Sequence, residues 1–248
     1  MTTTNATAKL FRLEMRQLWR TPAVFIWTLL LPLAAIIVMS VIPGARQPLD
    51  QFGGLSVVEA YQPTIIVFAI TIFALQIMPL ILGQYRENGF LRRLRTTPVH
   101  PGQLLFAVLA MVFIVVVAAS LFMLGFPMLF GEGSLSALPS QIFVMLVTAA
   151  SILAVGTMLA AVIPSAKVAS GVGAVVAIVM WFFAGMWVPR ALFPDWVAAI
   201  ADWTPGGAAA TLMSNASLGI ELGWQPFLAL VLWGVGSVLV ALQTFRWE

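Results

Sequence analysis

Residues 104–130 read LLFAVLAMVFIVVVAASLFMLGFPMLF, a stretch with no charged side chain and one serine, Ser120. A helix that crosses a bilayer needs about 20 consecutive apolar residues. This run exceeds that length and is apolar on every face, as a helix surrounded by lipid or protein must be. It predicts a membrane span. Five further stretches qualify by the same standard: 22–42, 62–83, 138–163, 168–188 and 226–243. The first is too long for the apolar core of a secretory signal and is followed by no clear small-x-small cleavage site, so it reads as a retained span. Composition agrees. Hydrophobic residues make up 61% of the chain and charged residues 8%, where a soluble domain carries roughly 25% charged. Lipid accepts Leu, Val and Phe directly, so a bilayer removes the need for a polar coat. The expectation is an all-α membrane protein, one transmembrane domain over 1–248.

Orientation follows from the basic residues in short loops. With the N-terminus inside, Lys9, Arg12, Arg16, Arg20, Arg86, Arg92, Arg93, Arg95, Lys167 and Arg246 are cytoplasmic, and only Arg46 and Arg190 lie outside. A miscounted span would invert every loop beyond it and spoil this asymmetry. Both termini are therefore expected in the cytoplasm.

No charged residue falls in the middle of a predicted span. Intramembrane Asp, Glu, Lys, Arg or His usually mark ion pathways, so their absence argues against an ion-coupled carrier. The polar residues inside the spans are mild: Thr71, Gln76, Ser120, Thr148, Ser151, Thr157, Ser170 and Ser237. Hydrogen bonding between helices is the plain reading of each, and Gln76 is the first candidate to face a cavity. The chain has no cysteine and one histidine, His100, which removes thiolate chemistry and multi-histidine metal sites. No Walker loop, His-Glu-x-x-His or Gly-x-Ser-x-Gly motif occurs. With a net charge of +3, nucleic-acid binding is a poor reading too.

Three segments stand apart from the spans. At roughly 100° per residue, Lys9, Arg12, Arg16 and Arg20 fall within a narrow arc of a helix over 8–20. Leu10, Phe11, Met15 and Leu18 fill the other side, with Trp19 at its edge. Such a helix lies in the membrane interface, or serves only to set topology. The loop 84–103 contains Phe90, Leu91 and Leu94 on one face of a short helix, with Arg92, Arg93 and Arg95 around them. Thr97-Pro98 ends that helix. An apolar ridge in an arginine collar suits docking into a groove of another protein; a basic loop that fixes topology is the alternative. The outer segment 189–224 is long and apolar. Asp195 opens one short helix to about Trp203, Thr204-Pro205-Gly206-Gly207 is a break, and Ala208 to Leu218 forms a second. Neither spans, so both read as half-helices dipping into the outer leaflet. Span five also has small residues at helical spacing, Ala166, Ser170, Ala174 and Ala169, Gly173, Ala177, which fit close packing within the protomer or a dimer seam.

The stretch Glu87-Asn88-Gly89-Phe90-Leu91-Arg92-Arg93-Leu94-Arg95-Thr96-Thr97-Pro98, with six spans and an N-terminal interfacial helix, resembles the type-2 ABC exporter permeases. The antibiotic-resistance permeases of daunorubicin-exporter type are the nearest subgroup. The resemblance covers nearly the whole chain, and the basic stretch is its most specific part. The family often shows an acidic residue, a glycine, an apolar pair, an arginine-rich turn and Thr-Pro just before span three. This chain departs at Asn88 and Phe90, where Lys, Thr or Ser is frequent.

The resemblance implies a fold of six transmembrane helices with an interfacial helix, a cytoplasmic coupling helix and two short re-entrant helices before the last span. It implies a permease subunit in a bacterial inner membrane that is not itself an enzyme and holds no cofactor. A second permease copy or a homologue would join it, with two copies of a separate ATPase subunit binding ATP and Mg. The coupling helix would comprise Glu87, Gly89, Phe90, Leu91, Arg92, Arg93, Leu94 and Arg95. Substrate would pass between spans two and five, with Phe73, Gln76, Met180 and Phe183 lining the path. A charge-free conduit suits an amphiphilic drug, lipid or lipopeptide, as in multidrug efflux. An ion-coupled transporter, a lipid-modifying membrane enzyme and an assembly or sensor subunit are the rivals.

Overall fold

The computed structural model describes residues 10–13, 15–16, 22–89 and 101–244. Among them there is no strand beyond the single bridge Leu49–Leu55. Eight helices are named in chain order: α1 Pro22–Val41, α2 Val57–Glu87, α3 Pro101–Gly125, α4 Leu138–Val162, α5 Ala166–Ala184, α6 Asp195–Ala201, α7 Pro205–Leu218 and α8 Trp224–Thr244. Five of them, α2, α3 with its continuation to Phe130, α4, α5 and α8, are long and apolar enough to cross a membrane. The stretch 22–42 falls on α1, whose shorter described portion Thr28–Val41 is also apolar.

The helices begin and end where local chemistry dictates. Ser56 starts α2 with a capping box: its hydroxyl accepts from Glu59 N, and the Glu59 carboxylate accepts from Ser56 N. Such a box satisfies two of the amide donors a helix start leaves open. α2 therefore begins several residues before the predicted 62, and it runs on to Glu87. Gly89, at φ +64°, follows its C-terminal end in the left-handed region that glycine adopts without steric cost.

α2 forms the centre of the bundle. Its most apolar window is 72% buried inside the protein, against 22% for α8, so α8 lies at the edge of the bundle. Halfway along, α2 changes pitch: Phe73–Ile77 is a π-helical turn. Two glycines from neighbouring helices close on that turn. Gly156 of α4 lies against the Ala74 carbonyl, and Gly173 of α5 against the Leu75 carbonyl; a Cβ at either would overlap the oxygen. The small stripe of α5 thus packs inside the protomer: Ala166, Ala169, Gly173 and Ala177 are buried, while Gly171, Val172 and Val175 are exposed.

Several polar residues tie helices together as expected. Thr71 of α2 accepts from the indole N–H of Trp181 on α5. Ser151 of α4 donates to Leu230 O on α8 at 2.6 Å, a bond worth about 0.6 kcal/mol between membrane helices. Thr157 donates to Leu153 O of its own helix and also reaches Met78 Sδ of α2 at 3.8 Å. Ser120, Thr148 and Ser237 are buried, with no hydrogen-bond partner for their hydroxyls among the described residues.

The outer segment holds two short helices. Thr204 is the N-cap of α7, its hydroxyl accepting from Gly207 N at 3.1 Å, and Pro205 takes the first helical position that proline prefers. The break is therefore narrower than Thr204-Pro205-Gly206-Gly207 suggests. It falls at Asp202 to Thr204, and both glycines sit inside the first turn of α7. α7 is buried along Pro205, Gly206, Gly207, Ala208, Ala209 and Ala210, wedged among α2, α4, α5 and α8.

Candidate functional site

The C-terminal end of α2 is where the stretch singled out in the sequence begins. Glu87 and Gly89 are described; Phe90, Leu91, Arg92, Arg93, Leu94 and Arg95 lie outside the described residues. Neither charge at the end of α2 is idle. Arg86 donates from both terminal nitrogens to main-chain carbonyls, Ala160 O at 3.1 Å and Ile163 O at 3.4 Å. Glu87 Oε1 accepts from Ala166 N at 2.8 Å. Both partners belong to the α4–α5 turn. Reading the sequence missed these roles, and only Pro164, which ends α4, pointed at a turn that would leave carbonyls unpaired.

Of the N-terminal basic helix, residues 10–13 and 15–16 are helical. Leu10, Phe11 and Met15 pack on the core, and Arg12 and Arg16 are exposed. Leu13 is exposed beside them, so the described residues have one face on the bundle and one turned away from it. Lys9, Trp19 and Arg20 lie outside the described residues.

The expected path residues divide into two pairs. Phe73 and Met180 are fully buried, 1% and 4% exposed, so within one protomer they fill the contact between α2 and α5. Gln76 and Phe183 are half-buried. Gln76 has no hydrogen-bond partner among the described residues. It sits in the π-helical turn, a distortion that often accompanies functional sites. The less buried positions of α2 recur at Ile72, Gln76, Leu80 and Gln84, so among the described residues the amide lies on a partly covered stripe of this central helix. An apolar groove of about 570 Å³ lies elsewhere, between α3, α4 and α8, lined by Phe106, Phe113, Leu153 and Val238 among others. None of the four path residues lines it.

Near the break before α7, one cation organises the chain. Arg190 donates to Phe183 O at 3.0 Å, at the end of α5, and to Gly207 O at 3.2 Å in α7. It also pairs with Asp202 at 2.7 Å, and Asp202 accepts in addition from Thr211 Oγ1. Burial pushes the guanidinium below its ordinary pKa, and the adjacent Asp202 carboxylate opposes that shift. The pair joins α5, the α6–α7 break and α7 into one unit. Charged donors and acceptors make hydrogen bonds roughly twice as strong as neutral ones, which suits a segment with little helix of its own.

Among the described residues no group of three His, Cys, Asp or Glu could hold a metal ion. What the arrangement offers is a central helix that carries a polar notch midway along, is anchored at its end by Arg86 and Glu87, and is tied near its start by Gln62 donating to Met123 O and Thr64 donating to Ala184 O. Among curated proteins none matches the chain. The family model described as ABC-2 type transporter matches residues 6–216, most of the chain, including the interfacial helix, the basic stretch, α1 to α6 and nearly all of α7. With its apolar helices embedded in a membrane, this chain belongs to the ABC-2 type transporter family as a transmembrane subunit of an ABC transporter.

Proposed function

We propose that the chain is the permease subunit of an ATP-driven exporter. It moves an amphiphilic or hydrophobic compound, of the drug, lipid or lipopeptide class, out of the cytoplasm or inner leaflet. Two permease chains assemble with two ATPase subunits that bind ATP and Mg. The coupling helix, Phe90 to Arg95, seats in the ATPase, while Glu87, the last residue of α2, stays with the bundle; the substrate follows the half-buried stripe of α2 and the outer part of α5, past Gln76 and Phe183. α1 is the first of six spans, and α6 and α7 are the re-entrant pair of the outer leaflet. The bacterial inner membrane is the setting, with both termini in the cytoplasm. The observation that carries this reading is the end of α2: the central helix of the bundle ends at Glu87, and the sequence that follows Gly89 is the arginine-rich stretch within the family match. A charge-free interior supports an apolar cargo over a coupling ion. Exposed Trp187, Trp196, Trp203 and Trp224, all between the end of α5 and the start of α8, support an aromatic belt at the outer interface.

The test is recovery of this chain in mild detergent from its native membrane. An ATPase of about 250–350 residues, the size of one or two domains, co-purifies in equal copies. A lone chain whose transport ignores ATP would instead indicate an ion-coupled carrier or a lipid enzyme. Topology has its own test, made simple by the absence of cysteine. Leu135→Cys and Leu192→Cys, 78% and 61% exposed, react with an impermeant thiol reagent added outside the cell. Protection of both from the outside, with labelling only after the inner face is opened, would reverse the orientation. Gly206 is no place for such a probe, since a Cβ there would press on Met180 O.

A further inference from the structure

The last turn of α2 is fastened to the α4–α5 turn on both of its sides. Arg86 holds the α4 side, through Ala160 O and Ile163 O. The final carbonyls of a helix have no intrahelical donor. For Ala160 the shortage is built in, because the residue four positions on is Pro164, which has no N–H. A guanidinium there also meets the negative end of the α4 dipole. Glu87 holds the α5 side. Ala166 opens α5, whose N-cap residue Ser165 makes no side-chain cap, and the Glu87 carboxylate supplies the missing acceptor from a neighbouring helix. Gly83 lies three and four residues before this pair, on the same face. A Cβ there would sit 2.5 Å from Ala166 Cα, so α2 and the turn meet backbone to backbone.

We propose that Arg86 and Glu87 are positioning residues that transmit displacement of the chain beyond Gly89 into α4 and α5 together, instead of into α2 alone. The proposal rests on the exporter reading, in which an ATPase presses on that chain. α2 cannot shift along its axis without either breaking these charge-assisted bonds or carrying the ends of α4 and α5 with it. The contacts higher up, Gly173 on Leu75 O and Trp181 on Thr71, hold α2 to α5 as far as the π-helical turn. A push at the cytoplasmic end therefore arrives at Gln76 and Met180 through three helices moving as one.

Hydrogen exchange read by mass spectrometry tests this on the whole complex in lipid nanodiscs, with and without trapping by ATP, Mg and vanadate. In the native complex trapping changes exchange by about threefold or more both at 84–89 and at 160–170. Arg86→Cys and Ser165→Cys, made together with Glu87→Ala, introduce the subunit's only thiols and release both the α4 and the α5 side. The ATPase still co-purifies with this variant and its response at 84–89 persists, but the response at 160–170 disappears. Bridging the two thiols with a short bifunctional reagent restores it, which a merely misfolded variant would not show. A full response at 160–170 in the unbridged variant, or none after bridging, overturns the clamp. So does a native complex that responds at 84–89 alone. Failure of the exporter reading looks different: no ATPase accompanies the native chain at all.

Discussion

Gly156→Val and Gly173→Val each destroy the packing of the bundle, while Gly171→Val two positions away leaves it intact. The first two glycines face backbone carbonyls of the π-helical turn, and a Cβ on either would overlap the oxygen of Ala74 or Leu75; around Gly171 nothing lies within 4 Å. A flexible side chain would yield to a new methyl, but a main-chain carbonyl in the centre of the bundle yields only if a whole helix moves. Overpacking of this kind costs about 3 kcal/mol or more. An exposed position such as Gly171 stays within about 0.5 kcal/mol. The measurement is thermal unfolding, with size-exclusion profiles, of the three variants purified in the same detergent. Gly156→Val or Gly173→Val melting like the native protein would mean that α2 does not run between α4 and α5 as described.

The second large effect falls on the assembly and leaves the fold alone. Leu91→Asp combined with Leu94→Asp abolishes co-purification of the ATPase, and the protein still inserts in the membrane and melts as the native chain does. The ridge of Phe90, Leu91 and Leu94 is the apolar part of the docking stretch, and burying two carboxylates against an apolar groove leaves them desolvated and unpaired. Loss of two central contacts at an interface amounts to about 3 kcal/mol or more, a hundredfold or greater weakening. Unchanged co-purification would show that the basic loop only sets topology and that the ATPase, if one binds, docks elsewhere. The Arg86→Cys, Glu87→Ala and Ser165→Cys variant separates from this one cleanly, because it keeps the ATPase and loses only the response of α4 and α5.

Much of the candidate site was legible as residue type and much less as geometry. Gln76 stood out because an amide in a span is uncomfortable, and it lies in the π-helical turn with no partner among the described residues. Phe73 and Met180 looked equally suited to line a path, yet both are filled in by neighbours within the protomer. Hydropathy ranks these side chains alike, since an apolar residue satisfies lipid, a cavity and a packed core equally well. Arg86 and Arg190 read as topology signals. Each also satisfies carbonyls left open by helix ends, a role that depends on which other helix ends lie within reach.

The division is a physical one. Sequence by itself determined that the chain is helical and built for a bilayer, where most of its helices run, that the outer segment is broken near Thr204, and which face of the N-terminal helix is basic. All of these follow from composition and from interactions within a few residues, which hydropathy and turn chemistry record directly. Only the tertiary structure decided that α2 is the central helix, that Gly156 and Gly173 close on its π-helical turn, that Glu87 caps α5, and that Arg190 gathers α5 and α7 around Asp202. In lipid the hydrophobic effect does not choose between one apolar helix face and another. The choice falls to close shape and to the few polar groups that must find partners, and both depend on residues far apart in the chain.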